Sequence, residues 1–144
     1  MDNKYSYLLQ DEQREKIINK IIDTNLGIEK YNTSIDMNIG MLFAHITISV
    51  GADCINGLEQ TKNDIKVFRS SRKPNKEKFK ELIYILKLLG FTYSEILDYD
   101  FLHTIFIILY DYIYPNNKYY DTDDKFRNYR LLPKNYFENM IKHL

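Results

Sequence analysis

The chain has 144 residues, and its 20 basic side chains balance 20 acidic ones, so the formal net charge is zero. A neutral chain has no overall field that draws it to nucleic acid or membrane, so any such attraction must come from a local cluster. The lone cysteine, Cys54, excludes an intramolecular disulfide and a cysteine-rich zinc site. No secretory signal pattern is visible at the N-terminus, and we therefore expect a cytoplasmic protein with no membrane partner.

The N-terminal segment predicts a helix over Asp11–Thr24, because four isoleucines from Ile17 to Ile22 lie on one face. Met37–Val50 is ambiguous. Its apolar residues fit helical spacing, yet Leu42 to Val50 also alternates as a half-buried strand does. We favour the helix, since an isolated strand would need a partner. Ala52–Phe68 follows as a weaker predicted helix with Gly57 in its interior.

The next segment is a predicted basic linker near 69–75, broken by Pro74. Lys76–Leu89 then shows the most regular helical spacing in the chain, with Asn75 as its cap. Gly90 is predicted to end this helix in a Schellman motif, which would bring Phe91 back to Leu86. Thr92 and Glu95 form a predicted capping box that starts a short helix over Tyr93–Leu97.

Asp100–Tyr114 is the most apolar stretch, and it predicts a helix that is buried on both flanks. Asp98 and Asp100 are both candidate N-caps, and Pro115 ends the segment. We therefore predict an all-α fold: one domain over residues 1–144, built as a bundle of about six or seven helices around this central helix. An acidic loop is expected near 116–124, and a last helix is expected after Pro133.

Catalytic motifs are missing from the sequence. It contains no glycine-rich phosphate loop, no pair of histidines one helical turn apart and no serine elbow. His103 on the apolar helix is typical of a hydrogen-bonded core residue. The acidic loop lacks the oxygen ligand and the glycine that a calcium loop requires after Asp123. We predict a non-enzymatic protein with no catalytic, cofactor-binding or metal-binding residues.

Two segments could bind macromolecules. The segment Lys62–Lys80 contains eight basic residues and only two acidic ones. This excess could hold nucleic-acid phosphates, and the candidate residues are Lys66, Arg69, Arg72, Lys73 and Lys76. The chain also has 13 tyrosines, which are enriched in protein interfaces. The candidate interface is the group near the end of the central helix: Tyr110, Tyr112, Tyr114, Tyr119 and Tyr120.

Residues with AT-rich codons dominate the composition, which is typical of many viral and phage genomes and of low-GC bacteria. Leu88–Phe101, LLGFTYSEILDYDF, resembles a helical turn of small phage tail-assembly chaperones, and this implies binding to another virion protein. The C-terminal LPKNYFENMIKHL resembles the opening of F-box-like segments in poxvirus host-range proteins, although Asn135 stands where a glutamate is usual. We expect a viral or phage assembly component, or a viral protein that engages a host partner. The alternative is nucleic-acid binding by Lys62–Lys80.

Overall fold

The computed structural model describes residues 4–24, 37–55, 67–70, 73–113 and 134–142, and within them the chain is predominantly helical. These ranges contain a 3₁₀ turn over Ser6–Leu9, six α-helices and two short strands. The helices are α1 Asp11–Asp23, α2 Met37–Ser49, α3 Lys76–Leu88, α4 Tyr93–Ile96, α5 Tyr99–Ile113 and α6 Lys134–Lys142; the strands are β1 Ala52–Ile55 and β2 Val67–Ser70. The predicted all-α class is confirmed.

Helix α5 is the centre of the fold, as predicted. Every side chain from Thr104 to Asp111 is buried, and α1, α2, α4, α6 and the 3₁₀ turn all contact this helix. Its cap is Asp98 rather than Asp100, because Asp98 Oδ1 accepts the backbone N–H of Asp100 at 2.9 Å. The helix therefore begins one residue earlier than predicted. Tyr114 and Pro115 lie outside the described residues.

The ambiguous segment Met37–Val50 forms helix α2, and the strand interpretation is wrong. Leu42, Ile46 and Val50 are buried, whereas Ala44 and Ile48 on the same alternating face are exposed. Helical spacing alone places all the core contacts on one side. Phe43 completes that side by stacking on Phe106 of α5, with ring centroids 5.4 Å apart.

The prediction of a helix over Ala52–Phe68 is wrong at both ends of the segment, where the structure has strands β1 and β2. Gly51 has a φ of 74°, a left-handed conformation that stops α2 and turns the chain into β1. Strands β1 and β2 pair antiparallel, with Ala52 opposite Ser70. Arg69 and Ser70 belong to β2, so the first residues of the predicted basic linker near 69–75 are strand. Gly57 lies outside the described residues.

The local signals around α3 and α4 are confirmed. Asn75 Oδ1 accepts the backbone N–H of Lys78 at 3.0 Å and caps α3. At the other end Gly90 has a φ of 95°, and the backbone N–H of Phe91 donates to the Leu86 carbonyl at 3.1 Å, which is the Schellman pattern. The capping box of Thr92 and Glu95 then starts α4.

Helix α6 packs on α5 through Phe137 and Met140, which are buried. The Phe137 ring lies 5.6 Å from the half-buried ring of His103 and 5.9 Å from that of Phe106. The predicted final helix is therefore confirmed over Lys134–Lys142. The predicted acidic loop near 116–124 falls outside the described residues.

Candidate protein-interaction surface

Helix α3 carries apolar residues on two faces. The inward face, with Phe79, Leu82 and Leu86, is fully buried in the core. On the outward face Tyr84 is 65% exposed and Leu88 is 45% exposed, and the two lie one helical turn apart. Tyr93, the first residue of α4, is 51% exposed. We call these three residues, Tyr84, Leu88 and Tyr93, the α3–α4 surface.

The backbone that carries the α3–α4 surface is held at both sides of the turn. The Schellman motif at Gly90 closes α3, and the capping box opens α4 two residues later. Lys87 Nζ lies 4.7 Å from the centre of the Tyr93 ring and so links the two helices. The surface is thus presented by a fixed corner between two helices, which lowers the entropy lost when a partner binds.

Other exposed large apolar side chains in the described ranges are scattered. Tyr7 lies on the 3₁₀ turn, Ile48 on α2 and Tyr112 on α5. Single exposed apolar residues are normal on protein surfaces, whereas grouped ones indicate interaction sites. The α3–α4 surface is where three such residues lie on two consecutive helices.

Only two residues of the predicted tyrosine interface, Tyr110 and Tyr112, lie in the described ranges. Tyr110 is fully buried in the core, so it cannot contribute to a surface. Tyr112 is 40% exposed and points away from the Tyr110 side, because residues two apart lie on different faces of a helix. Tyr114, Tyr119 and Tyr120 lie outside the described residues. The sequence analysis did not identify Tyr84 and Leu88 as surface residues. The signal that could have revealed them is that they lie four residues apart on α3 and do not belong to its buried face.

The predicted phosphate-binding residues are only partly described. Lys76 is the first residue of α3, Lys73 lies three residues before it, and both are exposed. Arg69 lies in β2. Lys66 and Arg72 lie outside the described residues.

Further along the same helix, Lys78 Nζ bonds Glu81 Oε2 at 3.0 Å and Lys80 Nζ bonds Glu77 Oε1 at 3.4 Å. Part of the basic excess counted from the sequence is therefore balanced within α3.

A cleft of about 300 Å³ lies between α1 and α5. Arg14 and Asp111 both line the cleft. The Arg14 Nη1 donates to Asp111 Oδ2, and its Nε donates to the Leu9 carbonyl. The Asp111 side chain is only 5% exposed, and that of Arg14 is 21% exposed. The guanidinium thus joins the 3₁₀ turn, α1 and α5, and we assign it a structural role.

His45 on α2 contacts Glu81 on α3. Its Nδ1 lies 2.9 Å from the Met41 carbonyl, and its Nε2 lies 3.1 Å from Glu81 Oε2. Both partners are acceptors, and a ring nitrogen that carries a proton donates to the acceptor that it faces. The hydrogen bond and charge of Lys78, followed by the hydrogen bond of His45, lower the pKa of Glu81 below its usual value. The cluster links α2 to α3 at a largely exposed carboxylate.

Among the described residues, no group of three or more histidine, cysteine, aspartate or glutamate side chains is placed to hold a metal ion. No helix within those ranges has both the length and the apolar character needed to cross a membrane.

The fold defines a small all-α helical bundle with an exposed apolar corner between two consecutive helices. No family model matches the chain, and neither a curated protein nor a solved structure shows significant similarity to it.

Proposed function

We propose that this chain is a non-enzymatic interaction protein that binds another protein through the α3–α4 surface. The observation that carries the proposal is the exposure of Tyr84 and Leu88, one helical turn apart on α3, and of Tyr93 at the start of the next helix. Tyrosine supplies a large contact area with few rotatable bonds, and it is enriched among the residues that dominate binding energy. Leu88 lies between the two rings in sequence and adds aliphatic area to the contact.

The proposed setting is a viral or phage protein, either an assembly component or one that engages a host partner. The AT-rich residue usage supports this setting. The segment that resembles phage tail-assembly chaperones, Leu88–Phe101, contains both Leu88 and Tyr93. The resemblance and the exposed surface therefore fall on the same part of the chain.

Nucleic-acid binding through Lys62–Lys80 is the second proposal, and it rests on the exposure of Lys73 and Lys76. We rank it lower because Lys78 and Lys80 each pair with a glutamate of the same helix. The zero net charge also provides no long-range attraction to phosphates.

A photo-crosslinking experiment separates the two proposals. The photoreactive amino acid benzoylphenylalanine replaces Tyr84 in one variant and Lys16 in a control variant. Lys16 is a matched exposed position on α1, with 65% of its side chain accessible. Both variants are irradiated in extracts of cells in which the chain is naturally expressed.

We expect a discrete protein adduct from position 84 that Leu88→Ser removes, and no such adduct from position 16. Equal adducts from both positions would contradict the proposal. Adducts with nucleic acid that survive Leu88→Ser would instead support the second proposal.

A further inference from the structure

Two lysines border the α3–α4 surface at the turn between the helices. Lys87 Nζ lies over the Tyr93 ring, 4.7 Å from its centre. Lys20 reaches the same turn from α1, and its Nζ lies 5.6 Å from the centre of the Phe91 ring. A Cβ built on Gly90 would lie 2.8 Å from that same Nζ. Both lysines are exposed, so their charges are accessible to a partner.

Two carboxylates that follow the turn in sequence are engaged in other contacts. Glu95 Oε1 accepts the backbone N–H and the hydroxyl of Thr92, each at 2.9 Å, within the capping box. Asp98 Oδ2 lies 2.6 Å from Lys4 Nζ. The partial negative charge at the α3 C-terminus amounts to about half an elementary charge, which is smaller than the charge of two ammonium groups. Within the part of the chain that the structure describes, the corner therefore presents positive charge.

The other end of the surface is balanced. Lys80, one turn before Tyr84, is 3.4 Å from Glu77, and the two charges cancel. The α3–α4 surface is thus apolar along α3 and positive at its α4 end. Because the two ends of the surface differ in charge, a partner with matching ends would bind in one orientation.

We infer that the partner of the α3–α4 surface is a protein segment with apolar or aromatic anchors followed by carboxylates, bound with its acidic end over Lys20 and Lys87. The inference rests on the proposed function and specifies its partner class. Opposite charges at the rim of an interface set orientation and selectivity, and the apolar anchors supply most of the affinity. A carboxylate beside the Tyr93 ring would also lie in a partly dehydrated environment, where its attraction to Lys87 is stronger than in bulk water.

Selection from a displayed library of random linear peptides tests the inference on the intact chain. Peptides retained by the wild-type protein are counter-selected against the double variant Tyr84→Ser/Leu88→Ser, so that only binders of the α3–α4 surface remain. We expect the retained peptides to combine aromatic or aliphatic residues with aspartate or glutamate grouped at one end.

Charge variants then measure the acidic contribution. The double variant Lys20→Gln/Lys87→Gln should bind the retained peptides with roughly tenfold lower affinity. This is the combined effect expected from the loss of two ion pairs at the rim of an interface. The matched control Lys16→Gln/Lys80→Gln should change affinity less than about twofold, because each of its lysines pairs with a glutamate of its own helix. Added salt should reduce the difference between wild type and the Lys20→Gln/Lys87→Gln variant.

Three results would overturn the inference, and they differ in what they say about the proposed function. Peptides that depend on Tyr84 and Leu88 but carry no acidic residues would reject the charge class and leave protein binding intact. A library that yields no binder distinguishing wild type from the double serine variant would reject both. Sedimentation equilibrium that shows a dimer abolished by Leu88→Ser would identify a second copy of the chain as the occupant.

Discussion

Removing Arg14 should destabilise the protein more than neutralising its partner Asp111. The Asp111 side chain is 5% exposed, so Arg14→Met leaves a nearly buried carboxylate without this cation. Breaking a buried ion pair in this way costs about 3–5 kcal/mol, and we expect about 3 kcal/mol because Arg14 itself is 21% exposed. Asp111→Asn keeps an acceptor oxygen for the guanidinium and should cost about 1–2 kcal/mol.

Urea denaturation of the purified variants measures these differences directly. In thermal scans, 3 kcal/mol corresponds to a fall in Tm of roughly 6–12 °C for a chain of this size. Lys16→Met is the matched control, because Lys16 pairs with Glu12 at 3.6 Å on the exposed side of α1. That change should cost less than about 1 kcal/mol. Equal effects of Arg14→Met and Lys16→Met, or a larger effect of Asp111→Asn than of Arg14→Met, would show that the Arg14–Asp111 pair does not stabilise the fold in this way.

Three further predictions concern α3. Leu86→Ala should lower the free energy of unfolding by about 2–5 kcal/mol, because Leu86 is fully buried. Leu88→Ala on the exposed face should lower it by less than about 1 kcal/mol. Comparable losses for the two variants in urea titrations would contradict the assignment of the buried and exposed faces. Gly90→Ala should cost about 1–2 kcal/mol, since φ is 95° there, and an unchanged Tm would refute the strained conformation. The hydrogen bond from Lys78 lowers the pKa of Glu81, so this contact stabilises the fold above the unfolded carboxyl pKa and is lost as the pH falls below about 4. Glu81→Gln should flatten that part of the pH–stability curve, and an unaltered curve would show that the contact does not contribute.

Local chemistry made α3, α4 and α5 predictable from the sequence. Caps act within a few residues, so the Asn75 cap, the Gly90 turn and the Thr92 capping box could be recognised without knowledge of the tertiary structure. The choice between Asp98 and Asp100 could not, because both are good capping residues two positions apart. The position at which the backbone becomes helical determines which of the two carboxylates can accept a free backbone N–H.

The wrong predictions, a helix over Ala52–Phe68 and an exposed Tyr110, concern features that depend on contacts between distant parts of the chain. β1 and β2 are four residues each, and their pairing joins parts of the chain more than ten residues apart, so no local pattern marks them. The tyrosine prediction failed at Tyr110 because nearness in sequence was equated with a shared face. The face of α5 that carries Tyr110 is covered by the rest of the bundle, while Tyr84 on α3 remains exposed.

A nuclear magnetic resonance titration of the isotope-labelled chain tests whether the α3–α4 surface binds protein. Two ligands are compared: a peptide retained in the selection and a short single-stranded DNA. We expect the peptide to shift the amide signals of Tyr84, Leu88 and Tyr93, and we expect the DNA to leave these signals unchanged. Shifts caused by the DNA at Lys73 and Lys76, with no peptide response at the α3–α4 surface, would reject protein binding there and support nucleic-acid binding.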